Sequence, residues 1–305
     1  MASLEVQFEI MALTAIGFVL GRKGVLSQET CDQLIDLLFM VIMPASIIQA
    51  FEVEFAADVI SQVGMTFCIS CGIQLFYWCW NQVFYRRSDD GHRCCMRYAT
   101  MVSNAALIGM PVASAYLGQR GLMLAAIFLI PHRVLMWSYG LSMFADGEDK
   151  RGMLGVMTHP CVLATIFGFA VMILYGAGLE LPGIFASVVS TLSGCSTALG
   201  MMIIGVMLSG HGVRGSFDRE TLVFSAYRLL VIPVIVAGAL YMLSLDALPA
   251  QVCILLTGMP AASTTAILAR KYDKDAAFAS QLVMVSTLLS VATIPLLHMI
   301  VTALW

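Results

Sequence analysis

Charge is scarce in this sequence. Only 11% of its 305 residues are Asp, Glu, Lys or Arg, where a soluble domain carries about 25%. No segment between its apolar stretches is long enough to form a soluble domain. No acidic residue falls deep inside an apolar stretch, so no carboxylate proton relay or acid-built sodium site is apparent, and the acidic pair an intramembrane aspartyl protease needs is missing. HExxH, GxSxG and the P-loop are missing, which argues against an enzyme. Nothing in the pattern calls for a metal or a cofactor. The basic residues are spread over five loops rather than gathered in one patch, so there is no nucleic-acid footprint. The nine cysteines make no disulfide framework. Cys68, Cys71, Cys161, Cys195 and Cys253 lie in apolar stretches, where cysteine behaves as a small hydrophobe. Cys68-Ile-Ser-Cys71 has redox or metal spacing but no second pair, and Cys94-Cys95 falls in a loop expected to face a reducing cytosol. A cleavable signal is absent too. Glu5 and Glu9 stand where a basic n-region belongs, so Met1–Leu20 is expected to stay as a first helix.

What the sequence has in quantity is apolar surface. Hydrophobic residues make up 60% of the chain, and a bilayer crossing needs about 20 of them in a row. Ten stretches qualify, at 5–20, 33–51, 59–80, 97–117, 122–144, 159–178, 184–209, 221–243, 249–269 and 276–302. Short loops join them. The fold class is therefore an all-α polytopic membrane protein. The loops after the odd-numbered stretches hold Arg22, Lys23, Arg86, Arg87, Arg93, Arg97, Lys150, Arg151, Arg214, Arg219, Arg270, Lys271 and Lys274. These are 13 of the 16 basic residues. The opposite side has Arg120 and the acids Glu5, Glu52, Glu54, Asp58, Glu180 and Asp246. The positive-inside rule puts both termini outside.

One hexapeptide occurs twice, as Gly109-Met110-Pro111-Val112-Ala113-Ser114 and as Gly258-Met259-Pro260-Ala261-Ala262-Ser263, with a spacing of 149 residues. Each copy lies inside an apolar stretch. Glycine and proline at matching places in two halves point to the binding site of a secondary transporter. The halves are read as 1–152 and 153–305, five helices each, with the odd number inverting the second half. The fourth and ninth helices would then break at Pro111 and Pro260 and cross near the midplane. Proline lacks an N–H and clashes with the carbonyl four residues earlier, so Leu107 and Leu256 should have free carbonyls. The N–H groups just after each proline should be unpaired, at the positive end of a half-helix, and suited to a carboxylate. Ser114, Ser263, Thr264 and Thr265 add hydroxyls, and Ser103 and Asn104 add polar groups before the first break. Elsewhere the repeat is weak: Pro44 in the second helix has no proline partner in the seventh.

Two arginines stand inside apolar stretches. Arg133 has no acidic residue in a neighbouring span and is the first candidate for a substrate anchor, its guanidinium fork matching a carboxylate. It could instead cap the carbonyls of a broken helix. Arg228 lies nearer a helix end, where it could snorkel, and is read as structural. His132 is a candidate proton carrier, although as the neighbour of Arg133 it points to a different face. His159 and His298 lie near helix ends.

Several motifs resemble one family. Gly17-Phe-Val-Leu-Gly-Arg-Lys-Gly-Val-Leu-Ser27 and Val41-Ile-Met-Pro44 are similar to the opening of the auxin efflux carrier permeases. Asn104-Ala-Ala-Leu-Ile-Gly-Met-Pro111 with Tyr116-Leu-Gly118 resembles the family's middle. Met259-Pro260, Ala269-Arg-Lys-Tyr-Asp-Lys-Asp275, Val285-Ser-Thr-Leu-Leu-Ser290 and Pro295 resemble its closing segment. The resemblance implies a bile acid/sodium symporter-like fold of ten helices in a 5+5 inverted repeat. Helices 1, 2, 6 and 7 would be a scaffold, through which the protein would form a homodimer, and helices 3–5 and 8–10 a transport domain moving like an elevator. The substrate would sit where helices 4 and 9 cross, at Asn104, Pro111 and Pro260, and would be an organic anion. Ser263 and Thr264 stand where family members often have asparagine, and the long cytosolic loop of the plant exporters is absent.

These readings combine into an expectation. The chain is a secondary transporter of a small mono- or dicarboxylate in a bacterial inner membrane, with proton coupling through His132 as one option. Its site residues are Asn104, Gly109, Pro111, Ser114, Arg133, Gly258, Pro260, Ser263, Thr264 and Thr265. The alternative is a sensor on a transporter fold that binds lipid or sterol without moving it.

Overall fold

A computed structural model describes residues 2–52, 56–85, 89–140, 142–144, 160–179, 181–209 and 218–305. Arg86, Arg87, Lys150, Arg151, Arg214, Glu54, Glu180 and His159 lie outside the described residues. The described chain is helical, with a single isolated bridge in place of any strand. Its helices are α1 (Ala2–Arg22), α2 (Gln28–Leu37), α3 (Met43–Ala50), α4 (Ala57–Val83), α5 (Asp90–Met101), α6 (Met110–Leu135), α7 (Pro160–Gly176), α8 (Gly183–Gly194), α9 (Ser196–Ser209), α10 (Arg219–Ala226), α11 (Ile232–Met242), α12 (Ala247–Thr257), α13 (Thr264–Lys271) and α14 (Ala276–Leu304). Among the described residues, six helical stretches are long and apolar enough to cross a bilayer: Glu29–Ala50, Ala57–Val83, Ala105–Leu135, Gly183–Ser209, Arg219–Met242 and Ala276–Leu304. The apolar helices α7 and α12 are shorter.

Most of the interruptions are wide π turns rather than gaps. They occupy Leu38–Ile42, Ala105–Gly109, Met136–Gly140 and Tyr227–Val231. Three of them lead directly into a helix with proline at its second position: Pro44, Pro111 and Pro233. Proline cannot donate to the carbonyl four residues back, and its ring presses on that carbonyl. The wide turn answers by reaching one residue further. Met43 N–H bonds Leu38 O, and Ile232 N–H bonds Tyr227 O.

Within the stretch Ala105–Leu135 the helix is kinked at Gly118, which has φ 68° and ψ −164°. That region of backbone space is essentially glycine's alone. The space around it is open, so only the backbone opposes a side chain there. Gly118→Ala should lower stability by roughly 1–3 kcal/mol, seen as a fall in melting temperature. Unchanged melting would contradict the strained turn.

The chain divides into two compact units. The first comprises Met1–Met65, Leu107–Ile127 and Met157–His211. Here α1 lies along α9 at a spacing set by glycine. A Cβ on Gly17 would stand 2.1 Å from Met202 O, and one on Gly205 would stand 2.1 Å from Thr14 O. Small residues let two backbones approach in a membrane, where packing rather than water drives association. Phe51, after α3, meets Phe169 of α7 edge-on at 5.0 Å and covers Gly168.

The second unit comprises Thr66–Ala106, Phe128–Val156 and Gly212–Trp305. Beyond its apolar spans, His92 of α5 is held between two carboxylates. Its Nδ1 is 2.9 Å from Glu220 Oε2 and its Nε2 is 3.3 Å from Asp275 Oδ2. The ring stacks on Phe278 at 3.7 Å. Asp275 also caps α14 through Phe278 N–H. Burial alone would lower the imidazole pKa, but the hydrogen bonds and charges of Glu220 and Asp275 outweigh it and raise the pKa above 6.5. A raised folded pKa means the bridge contributes fully below the unfolded value and is lost as pH rises through the folded one. The side chains are partly exposed, so the contribution is below about 1 kcal/mol. The stability difference between wild type and His92→Gln should therefore shrink as pH is raised from about 6 to about 9. A difference that grows with pH would overturn the ion-pair reading.

Candidate functional site

The two broken segments of the second unit meet through their backbones. Ser103 and Ala261 form an antiparallel bridge. Asn104 N–H donates to Pro260 O at 2.8 Å, and Ala262 N–H donates to Val102 O at 3.2 Å. Ala261 N–H finds the Ser286 hydroxyl of α14 at 3.1 Å. Both N–H groups directly after Pro260 are thus occupied, which corrects the expectation that they are free for a ligand. Gly258 lets this segment lie against α14, since a Cβ there would stand 2.3 Å from Leu297 Cδ2.

The first break is not where the repeated hexapeptide puts it. α5 ends at Met101, with Val102 in extended geometry and its N–H bonded to Tyr98 O. Ser103 and Asn104, whose short polar side chains compete with helical hydrogen bonds, complete the break. Gly109 and Pro111 come later, at the end of the wide turn and the start of α6. They belong to the first unit with Ser114. Pro111 packs there on α9, where a Cβ on Gly200 would stand 2.9 Å from its Cγ. Asn104, Gly258, Pro260, Ser263, Thr264 and Thr265 belong to the second unit. Thr264 accepts a hydrogen bond from Tyr98 OH at 3.3 Å. The hydroxyls of Ser263 and Thr265 are buried without a partner.

Beside the crossing lies a buried polar cluster that sequence reasoning read only in part. α4 presents Thr66, Ser70, Gln74, Tyr77 and Asn81, all buried and spaced three or four apart. Polar residues at helical period inside an apolar stretch are a legible signal, and this one went unread. Ser70 Oγ donates to Phe128 O at 2.7 Å. The Gln74 amide donates to His132 Nδ1 at 3.3 Å, and His132 also hydrogen-bonds the backbone of Ser103. The imidazole thereby ties α4 and α6 to the first break.

Arg228 corrects a second expectation. It does not snorkel. It is 0% exposed and sits in the wide turn Tyr227–Val231, an element that often marks functional sites. Nη1 donates to Tyr77 OH at 2.9 Å and the guanidinium lies over the Tyr77 ring, while Nε and Nη2 have no hydrogen-bond partner among the described residues. Nε–H and Nη2–H form the side of a guanidinium that grips both oxygens of one carboxylate in parallel. Gln74 Oε1, Asn81 Oδ1 and Ser225 Oγ, on the same two stretches of helix, are buried without a hydrogen-bond partner among the described residues. These stretches pack on each other from Tyr77–Arg228 to the contact of Trp80 with Tyr227 at 5.9 Å. Arg133 is 7% exposed, and both arginines lie within electrostatic reach of His132. No ion pair involves either arginine among the described residues, and no group there could hold a metal ion. Buried polar atoms are nearly always satisfied. Unmet donors on a buried cation therefore stand out, and Arg228 Nε and Nη2 are such donors among the described residues.

An all-helical, multi-pass membrane protein with a buried cationic site is the class that fold and site define. The chain belongs to the family of membrane transport proteins of auxin efflux carrier type, whose model matches residues 3–154 and 149–298. It is 29% identical to an uncharacterized transporter of Methanothermobacter thermautotrophicus over 97% of each chain. It is 23% identical to an uncharacterized transporter of Methanocaldococcus jannaschii, over 97% of this chain and 98% of the relative.

Proposed function

We propose that this membrane transport protein is a secondary transporter of a small organic anion, a mono- or dicarboxylate. The observation that carries the reading is the unused edge of Arg228. A guanidinium stays charged at every physiological pH. Burying one with two donors unmet is costly, and a carboxylate would satisfy both donors and the charge. Arg133 adds a second positive charge. Ser263 and Thr265 offer hydroxyls beside the backbone crossing, and Asn104 its amide.

The proposal includes ten crossings in a 5+5 inverted repeat, a bacterial inner membrane and both termini outside. The matched hexapeptides support the repeat, the loop charges support the outward termini, and the bacterial membrane is proposed from the absence of the plant exporters' long cytosolic loop. It also includes alternating access of elevator type and a homodimer through the scaffold helices, on the family resemblance. The second unit, with its joined breaks, is the body proposed to carry substrate.

The test is the melting temperature of the purified protein against acetate, lactate, malonate, succinate, indole-3-acetate and a sterol. A ligand of the folded state at a hundred times its Kd stabilises by about 2.7 kcal/mol. Saturable stabilisation by a carboxylate supports the reading. Stabilisation by the sterol alone would replace it with the sensor.

A further inference from the structure

We infer that the site works by anion exchange: a carboxylate enters on one side only as another leaves on the other, with no co-transported cation. This rests on the anion reading of Arg228.

The physical reason is what the site costs when empty. Arg228 is fully buried and Arg133 nearly so, with no carboxylate paired to either among the described residues. Any route that carries the site across the bilayer passes a stage closed to water on both sides. At that stage an empty site holds positive charge that the Tyr77 ring and hydroxyl meet only in part, in a medium of low dielectric where the desolvation penalty is large. A bound carboxylate removes the penalty twice over: it neutralises charge, and it satisfies Nε–H and Nη2–H, which no group among the described residues satisfies. The loaded site therefore crosses easily and the empty one is held back.

A cation-coupled carrier needs a group that takes up the cation and loses it again. No cluster of acids or histidines suited to a metal ion occurs among the described residues. The titratable groups shown beside the arginines include His132, which already bridges Gln74 and Ser103, and Tyr77, whose hydroxyl accepts from Arg228 Nη1. Arg228 fills permanently the electrostatic place that a coupling cation would fill transiently.

The full chain is reconstituted into liposomes that are either empty or loaded with the same unlabelled anion. Uptake of labelled acetate, lactate, malonate and succinate is then followed. Loading is expected to speed uptake of the transported anion by about tenfold or more, equivalent to about 1.4 kcal/mol or more off the return barrier. Arg228→Gln removes the fixed charge, so the ratio of loaded to empty rates should fall toward one even if absolute rates drop. Equal uptake into empty and loaded wild-type liposomes would overturn exchange while leaving the anion reading standing. So would uptake into empty liposomes driven by an imposed proton or sodium gradient. Absence of uptake for all four, together with absence of thermal stabilisation, would overturn the anion reading itself and this inference with it.

Discussion

Arg228→Met is expected to weaken carboxylate binding by about a hundredfold or more, because a buried charge-assisted pair is worth about 2–5 kcal/mol when one partner is truncated. The variant should still fold. Replacing a buried ion with an apolar side chain of similar volume is often neutral or stabilising. Against this stands the loss of one donor to Tyr77 OH, which costs about 1–3 kcal/mol if the hydroxyl is left dry. Melting within a few degrees of wild type, with thermal stabilisation by carboxylate gone, is the expected pair of results. Arg228→Lys separates charge from geometry. It keeps the positive charge but cannot present two parallel donors, so its loss should be intermediate, on the order of tenfold. Wild-type affinity in Arg228→Met would end the assignment. Arg133→Met provides the comparison: sequence reading ranked Arg133 first, whereas it is the free edge of Arg228 that stands fully buried.

Gly205→Leu should destroy the folded protein rather than its affinity. Any Cβ at this position would meet Thr14 O at 2.1 Å and Phe18 N at 2.5 Å, and both are backbone atoms that cannot swing aside. Overpacking in a core costs about 1–3 kcal/mol when side chains can adjust, and occasionally more. Here α1 and α9 would have to separate, so the expected loss exceeds about 3 kcal/mol. Gly17→Leu should do the same through Met202 O. The readout is recovery of monodisperse protein from membranes, together with its melting temperature. Near-normal yield and melting for either variant would show that the two helices are not held this close.

These two cases also show what the sequence could say. The motif Gly17-Phe-Val-Leu-Gly21 was readable as part of a family resemblance, and its glycines now have a reason: Gly17 meets the Met202 backbone and Gly21 meets Ser209. Helices were readable because apolar runs of membrane length have few alternatives. The second break, at Gly258–Ser263, was readable from its proline. The first was misplaced because proline has two remedies. At Pro260 the chain leaves the helix, but at Pro44, Pro111 and Pro233 a wide turn keeps it helical. Local sequence does not choose between them, because the choice depends on what the freed backbone can pair with. Ser103 opposite Ala261 supplies such a partner. The seventh apolar stretch makes the converse point: it has no proline opposite Pro44, yet it is interrupted at Cys195 between α8 and α9. The burial of Arg228 was hidden because nearness to a helix end along the chain says nothing of what packs around it.

The wide turn at Tyr227–Val231 also keeps time. The buried residues of this stretch are Thr221, Phe224, Ser225, Arg228, Leu229, Ile232, Pro233, Val236, Ala237 and Leu240. From Thr221 to Leu240 an uninterrupted α-helix would rotate about 100° past five whole turns, and its last contacts would slide off the face on which the first ones lie. One residue absorbed in the wide turn cancels that drift. The arginine thus occupies the point where the rotation of the helix is reset. Straightening the turn into ordinary α-helix without changing the number of residues would swing everything beyond it, Pro233 included, by about 100°. The chain therefore tolerates a costly buried cation at the one place on this helix where its geometry is already irregular, and changes that regularise the helix are the ones that would misalign it.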